Sequence, residues 1–195
     1  MVDTVRTKSA LLALLADNTA RAISAQDLRD FLVSVMGLTK SVYVPATSFI
    51  LGSGATLASV GTGASYDRVP AWALDPTTDQ WVNGSFMLPT DWAGGALTLI
   101  VHWAPSSSNV GDVRWDIGVS DIAVGDQADE GKSFPTVIHA AGGVAEARRA
   151  GTCTSTVTPT QPFIGLSVYR SAAVGTDTFT GNAWFLGLEL QYTGL

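Results

Sequence analysis

From Leu97 to Trp103 the apolar residues Leu97, Leu99, Val101 and Trp103 alternate with Thr98, Ile100 and His102. A few residues on, Val113, Trp115, Ile117 and Val119 alternate with Arg114, Asp116, Gly118 and Ser120. A period of two places alternate side chains on opposite faces of a strand, one dry and one wet. With the preceding QWVNGSFM, residues 80–121 read as three consecutive antiparallel strands whose tryptophan face needs a second layer to cover it. The pattern predicts a β-sandwich, and with it a structural or binding role ahead of a catalytic one.

Residues 7–37 follow another rhythm, with no Pro and one Gly. In ISAQDLRDFLVSVMG, Ser24 is placed to cap a helix, Asp27 stands at its third position, Ile23 and Leu28 form a hydrophobic staple, and Gly37 ends it. Leu28, Phe31, Leu32 and Val35 then share one stripe. The preceding SALLALLAD predicts a shorter helix with its own leucine face, and the chain turns near Asn18 and Thr19. Such a helical hairpin is too small to stand alone, so it must dock on its own sandwich, on sister subunits or on another protein.

From Ser41 onward every signal is β. The pattern predicts strands over 42–50, 55–60, 69–74, 80–88, 96–104, 113–122, 135–140, 144–157, 163–171 and 183–192, separated by turn-rich segments such as LDPTTDQ, PTDWAGG and APSSSNVGD. Eight to ten such strands match an antiparallel sandwich of the jelly-roll type. The chain thus divides into a helical segment, 1–40, and a jelly-roll domain, 41–195. In the last strand Trp184, Leu186, Leu188, Leu190 and Tyr192 fall on one face and Phe185 and Gly187 on the other. Both faces are dry, and a neighbouring subunit is the favoured cover.

Composition sharpens this picture. The 195 residues suffice for one sandwich and a short appendage. Only 14 % are charged, which predicts that some surface is covered by a partner. A net charge of -6 argues against nucleic-acid binding, and the one basic cluster, Arg148 and Arg149, reads as two solvated arginines. The single cysteine, Cys153, excludes an intramolecular disulfide and reads as a small strand residue. LLALL is cut short by Ala16, Asp17 and Asn18, so neither a signal peptide nor a membrane span is visible, and synthesis in the cytoplasm is expected.

The residues for chemistry are missing. A cupin-type metal site needs paired histidines on one strand and a third later, whereas His102 and His139 stand 37 positions apart. His102, opposite Trp103, reads as a surface or interface residue. There is no Gly-x-Ser-x-Gly, and no Lys follows the glycines of GSGATLASVGTGAS. Asp121, Asp126, Asp129 and Glu130 match no defined calcium loop and read as a solvated acidic turn. Asp116 and Asp121 fall on opposite strand faces, which does not suit a glycosidase pair. No catalytic residue, metal or cofactor is therefore expected. Aromatics remain: Trp72, Trp81 and Trp92 flank or occupy turns and are candidate glycan contacts, the alternative being that they plug the ends of the sandwich.

Two segments carry a resemblance. NTARAISAQDLRDFLVSVMG, with its N-x-x-x-x-I-S-A-x-D-x-R-D pattern, and GSFMLPTDWAGGALTLIVHWAPSSSNVGDVRWDIGVSDIAVGD, with its Pro-x-Asp-Trp-x-Gly-Gly turn before an aliphatic strand ending in Trp, resemble accessory virion proteins of tailed bacteriophages, the head-fibre, capsid-decoration and tail-fibre class. The resemblance covers about half the chain. It implies a homotrimer on the virion exterior, with Leu11, Leu12, Leu15, Leu28, Phe31, Leu32 and Val35 forming the anchoring or oligomer interface. The implied partners are the major capsid protein or other virion proteins and a host-surface glycan, without nucleic acid or membrane insertion. A free, lectin-like carbohydrate-binding module is the second expectation.

Overall fold

The computed structural model describes residues 25–36, 38–61, 68–123, 134–155 and 157–194. Helix α1 (Ala25–Met36) comes first, and the sandwich begins at β1 (Thr39–Pro45). It continues through a 3-10 turn (Ala46–Ser48), β2 (Ile50–Ser53), β3 (Thr56–Val60), β4 (Val69–Leu74), β5 (Gln80–Met87) and β6 (Thr98–Pro105). The remaining strands are β7 (Asp112–Asp121), β8 (Thr136–Ala140), β9 (Arg149–Thr154), β10 (Phe163–Arg170) and β11 (Ala183–Thr193).

The strands form two antiparallel sheets. The first runs β3-β4-β11-β6-β9, with β1 paired to the far half of β11; the second runs β2-β5-β10-β7-β8. This is the jelly-roll type of sandwich that the alternation predicts. Each predicted strand overlaps an observed one, and one prediction splits in two: the expected strand 42–50 is broken at Ala46–Ser48, where the chain crosses from the first sheet to the second.

The inward rows meet as the period-two pattern requires. Leu99, Val101 and Trp103 from the first sheet face Val113, Trp115, Ile117 and Val119 from the second, all fully buried. Trp103 and Trp115 lie 5.8 Å apart between ring centroids, with Phe179 and Phe185 packed on them. Trp103 Nε1 donates to His139 Nδ1 across the layers at 3.3 Å. Burial holds the His139 imidazole below its usual pKa, which suits an acceptor nitrogen.

The last strand departs from its predicted face pattern. The register slips between Phe185 and Gly187, a β-bulge, so Ala183 and Phe185 face the core before it and Leu188, Leu190 and Tyr192 after it. A Cβ on Gly187 would lie 2.4 Å from Tyr43 Oη and 2.6 Å from the Val44 carbonyl oxygen, so this close approach needs glycine. Trp184 and Leu186 turn to the outer side and pack with Val60, Ala71 and Ala104 in a second cluster. On that outer side Leu186 is buried within the same chain, while Trp184, Glu189 and Gln191 remain half-buried.

Candidate functional site

The predicted site residues fall in three different settings. Leu11, Leu12 and Leu15 lie outside the described residues, and Val35 is in α1 with its side chain outside them. Helix α1 ends within a residue of its predicted stops. Leu28 and Leu32 of its apolar stripe are 56 % and 47 % exposed, and Phe31 is half-buried. The expectation that the helix docks somewhere is not met for Leu28 and Leu32 by the sandwich of the same chain.

The three tryptophans separate. Trp72 on β4 packs against the main core and donates Nε1 to the Ala46 carbonyl at 3.0 Å, fixing the 3-10 crossover. Trp92 also packs on the core and bridges to Gly194, while neighbouring Asp91 takes an ion pair from Lys40 at 2.5 Å and a bond from Tyr192 Oη at 3.2 Å. Both are partly buried against the core, the placement of the plug alternative weighed for them. Trp81 differs: it stands on the outer side of the second sheet, stacked on cross-strand Tyr169 at 5.1 Å and 19°.

That outer side holds the features sequence reading missed. Tyr169 carries Trp81 on one flank and, on the other, the edge of Phe134 at 5.1 Å and 85°. Phe134 fits because Gly118 lies beneath it; a Cβ there would come within 2.4 Å of the ring. Next to this aromatic row Arg114 and Asp116 project from β7. Arg114 Nε donates to Asp116 Oδ2 at 3.1 Å, and Nη2 donates to Asp116 Oδ1 and to Thr136 Oγ1, each at 3.3 Å. The hydroxyls of Thr136 and Ser171 also donate to Asp116. Burial pushes the Asp116 carboxyl up, but the bonds from Ser171, Thr136 and Arg114 outweigh it and hold the group ionised below its usual range. Arg114, Asp116, Phe134, Tyr169 and Ser171 together line a depression of about 280 Å³.

On the far side of the molecule His102 faces out of the first sheet, as expected, but is only 3 % exposed. It lies near Tyr43, with ring centroids 5.6 Å apart. Its Nε2 donates to Glu189 at 3.0 Å, and its Nδ1 accepts from Arg148 Nη2 at 2.9 Å. Burial lowers the His102 pKa, with the Glu189 bond opposing, so the ring is neutral with its proton on Nε2. Arg148 is therefore not simply solvated. Cys153 is half-buried on β9, and burial pushes its thiol up to about 11, which makes it a poor nucleophile.

Among the described residues no group of three or more His, Cys, Asp or Glu side chains is gathered to hold a metal. Asp121 is used as a cap instead, accepting from the backbone N–H groups of Thr160 and Gln161 at 2.9 and 3.0 Å. The rest of the acidic turn lies outside the described residues.

With two open features identified, the exposed Leu28 and Leu32 of α1 and an aromatic depression, comparison with known proteins bears on the scaffold. No family model and no curated protein matches the chain. Its fold is that of carbohydrate-binding modules. A family 35 carbohydrate-binding module from Clostridium thermocellum superposes with a TM-score of 0.51 at 12 % identity, over 77 % of this chain and 97 % of that one. The CBM36-1 domain of a multidomain xylanase from the hindgut metagenome of Trinervitermes trinervoides gives 0.50 at 13 %, over 80 % and 100 %. An isomalto-dextranase of Arthrobacter globiformis T6, solved with panose, gives 0.53 at 15 %, over 77 % of this chain and 23 % of that one.

Proposed function

We propose that this chain is a non-enzymatic accessory virion protein of a tailed bacteriophage. Residues 1–40 form its attachment segment, and a trimer of sandwiches carries the binding surface outward to a host glycan. The observation that carries this reading is the exposed Leu28–Leu32 stripe on α1 beside a sandwich whose core closes without it. An apolar helical face left in water costs free energy unless a partner covers it, and the resemblance of this segment to phage virion proteins supplies the partner. Deleting residues 1–37 is expected to abolish incorporation into particles while the sandwich still unfolds cooperatively. Incorporation at the full level without that segment would overturn the assignment, and a monomer by light scattering would overturn the trimer.

A second reading, a free carbohydrate-binding module, draws on the fold shared with such modules. It predicts that the same deletion leaves glycan binding intact and that the protein has no affinity for particles.

A further inference from the structure

We propose that the depression between Arg114, Asp116, Phe134, Tyr169 and Ser171 is a subsite for one uncharged pyranose ring, its C–H edge against Phe134 and Tyr169 and a pair of adjacent hydroxyls on Arg114 and Ser171. This rests on the reading of the sandwich as the glycan-binding part, and it names the place and the sugar class.

The walls and floor of the depression differ in chemistry. Phe134 is 39 % exposed and presents its ring to the opening, with Tyr169 held beside it by Trp81. Aromatic surface of this kind is fixed at small entropic cost and suits the apolar edge of a sugar. On the floor, Arg114 uses Nε and Nη2 on Asp116 and Thr136. Among the described residues no acceptor receives a bond from Arg114 Nη1, which leaves a fixed guanidinium nitrogen with two N–H donors to give. Asp116 beside it stays ionised and already takes four donors, two from Arg114 and one each from the Thr136 and Ser171 hydroxyls, so the acceptor left on the floor among the described residues is Ser171 Oγ, whose O–H is turned to Asp116. A donor and an acceptor held side by side match two neighbouring hydroxyls, each of which can both donate and accept.

Charge and size narrow the class. The lining carries one guanidinium and one carboxylate already paired with each other, so it has no surplus positive charge for an acidic sugar, and the whole chain carries -6. The volume of about 280 Å³ lies at the small end of ligand sites, which span roughly 300–1,000 Å³, so one ring fits and an oligosaccharide must continue along the sheet. The preformed network means that little is ordered on binding; Arg114 and Asp116 side chains are only 27 % and 14 % exposed.

The test is an amide chemical-shift titration of the full chain with the methyl glycosides of glucose, galactose, mannose and xylose, and with glucuronate and N-acetylneuraminate as acidic probes. At least one neutral glycoside is expected to shift the signals of residues 114, 116, 134, 169 and 171. Phe134→Ala is expected to weaken that binding by about tenfold or more, a loss of roughly 1.4 kcal/mol, while the melting transition stays cooperative. Arg114→Lys, which keeps the charge but not the fork, is expected to weaken it as well. Response to the acidic sugars alone overturns the ligand class. Neutral-sugar shifts that map elsewhere overturn this subsite and leave the glycan-binding reading standing. Silence with every sugar overturns both, while particle incorporation remains a separate measurement of the attachment segment.

Discussion

The second sheet carries two arginine–aspartate pairs on its opposite sides, and they have opposite fates. Arg170 points into the sandwich from β10, fully buried, and spends all its donors. Nε and Nη2 hold Asp177 at 3.0 and 2.9 Å, Nη1 donates to the carbonyls of Leu74 and Gly181, and Nη2 also reaches that of Phe179. Arg114 points outward from the adjacent strand and holds Asp116, and among the described residues its Nη1 donates to none. The same pair of residue types closes one end of the core and leaves the other side ready for a ligand. The difference is the number of carbonyls within reach, since a buried guanidinium must satisfy every N–H and a half-exposed one need not.

Breaking the inner pair should therefore cost most. Arg170→Met leaves Asp177 buried without its cation, and denaturant unfolding is expected to show a loss of about 3–5 kcal/mol. Trp103→Ala, which hollows the inter-sheet contact and strands the His139 acceptor, should lose a similar 3–5 kcal/mol or somewhat less. By contrast, Arg114→Ala on the outer side should cost no more than about 1 kcal/mol, because that pair is partly solvated. A loss at Arg114 as large as that at Arg170 would erase the distinction drawn here.

Acid provides a gentler probe. The folded Asp116 carboxyl titrates below its unfolded value, so the stability it contributes is present above the ordinary carboxylate range, near pH 4, and is lost as pH falls through the folded value. His102 is also lowered, and being a base it contributes stability at neutral pH, where both states are neutral. That contribution declines below its unfolded value near 6.5, as the unfolded state takes up the proton first. Two acid-side losses are expected in a stability–pH curve, the upper one shared by His102 and His139, and His102→Gln should shrink the upper one while leaving the lower. A curve flat from neutrality to pH 5 would show that His102 is free to protonate in place.

Much of this fold could be read from the chain. Alternation in ALTLIVHWA and DVRWDIGVSD sets both inner faces, and the described helix α1 spans Ala25–Met36, the stretch between the cap and stop read from the sequence. Where the reading failed, a long-range contact decided the outcome. Alternation cannot foresee the bulge at Phe185–Gly187, because it depends on Tyr43 crossing from another strand. The pairing of Arg148 with His102 is likewise invisible, as 46 positions separate them. For the candidate site the signal was half present. Arg114 and Asp116 sit on the wet face of a recognised strand, but Phe134 joins them only because the outer side has a bare glycine at 118, and Tyr169 only through register with Asp116. Tryptophans in or near turns drew attention to Trp72 and Trp92, which are partly buried against the core.

A cryo-electron density map of the purified particle tests the whole account most directly. It should show the Leu28–Leu32 face of α1 covered by shell, tail or sister subunits, with the Arg114–Phe134 side of each sandwich open to the medium. A map with that helical face bare, or with the Arg114–Phe134 side pressed against the particle, would contradict it.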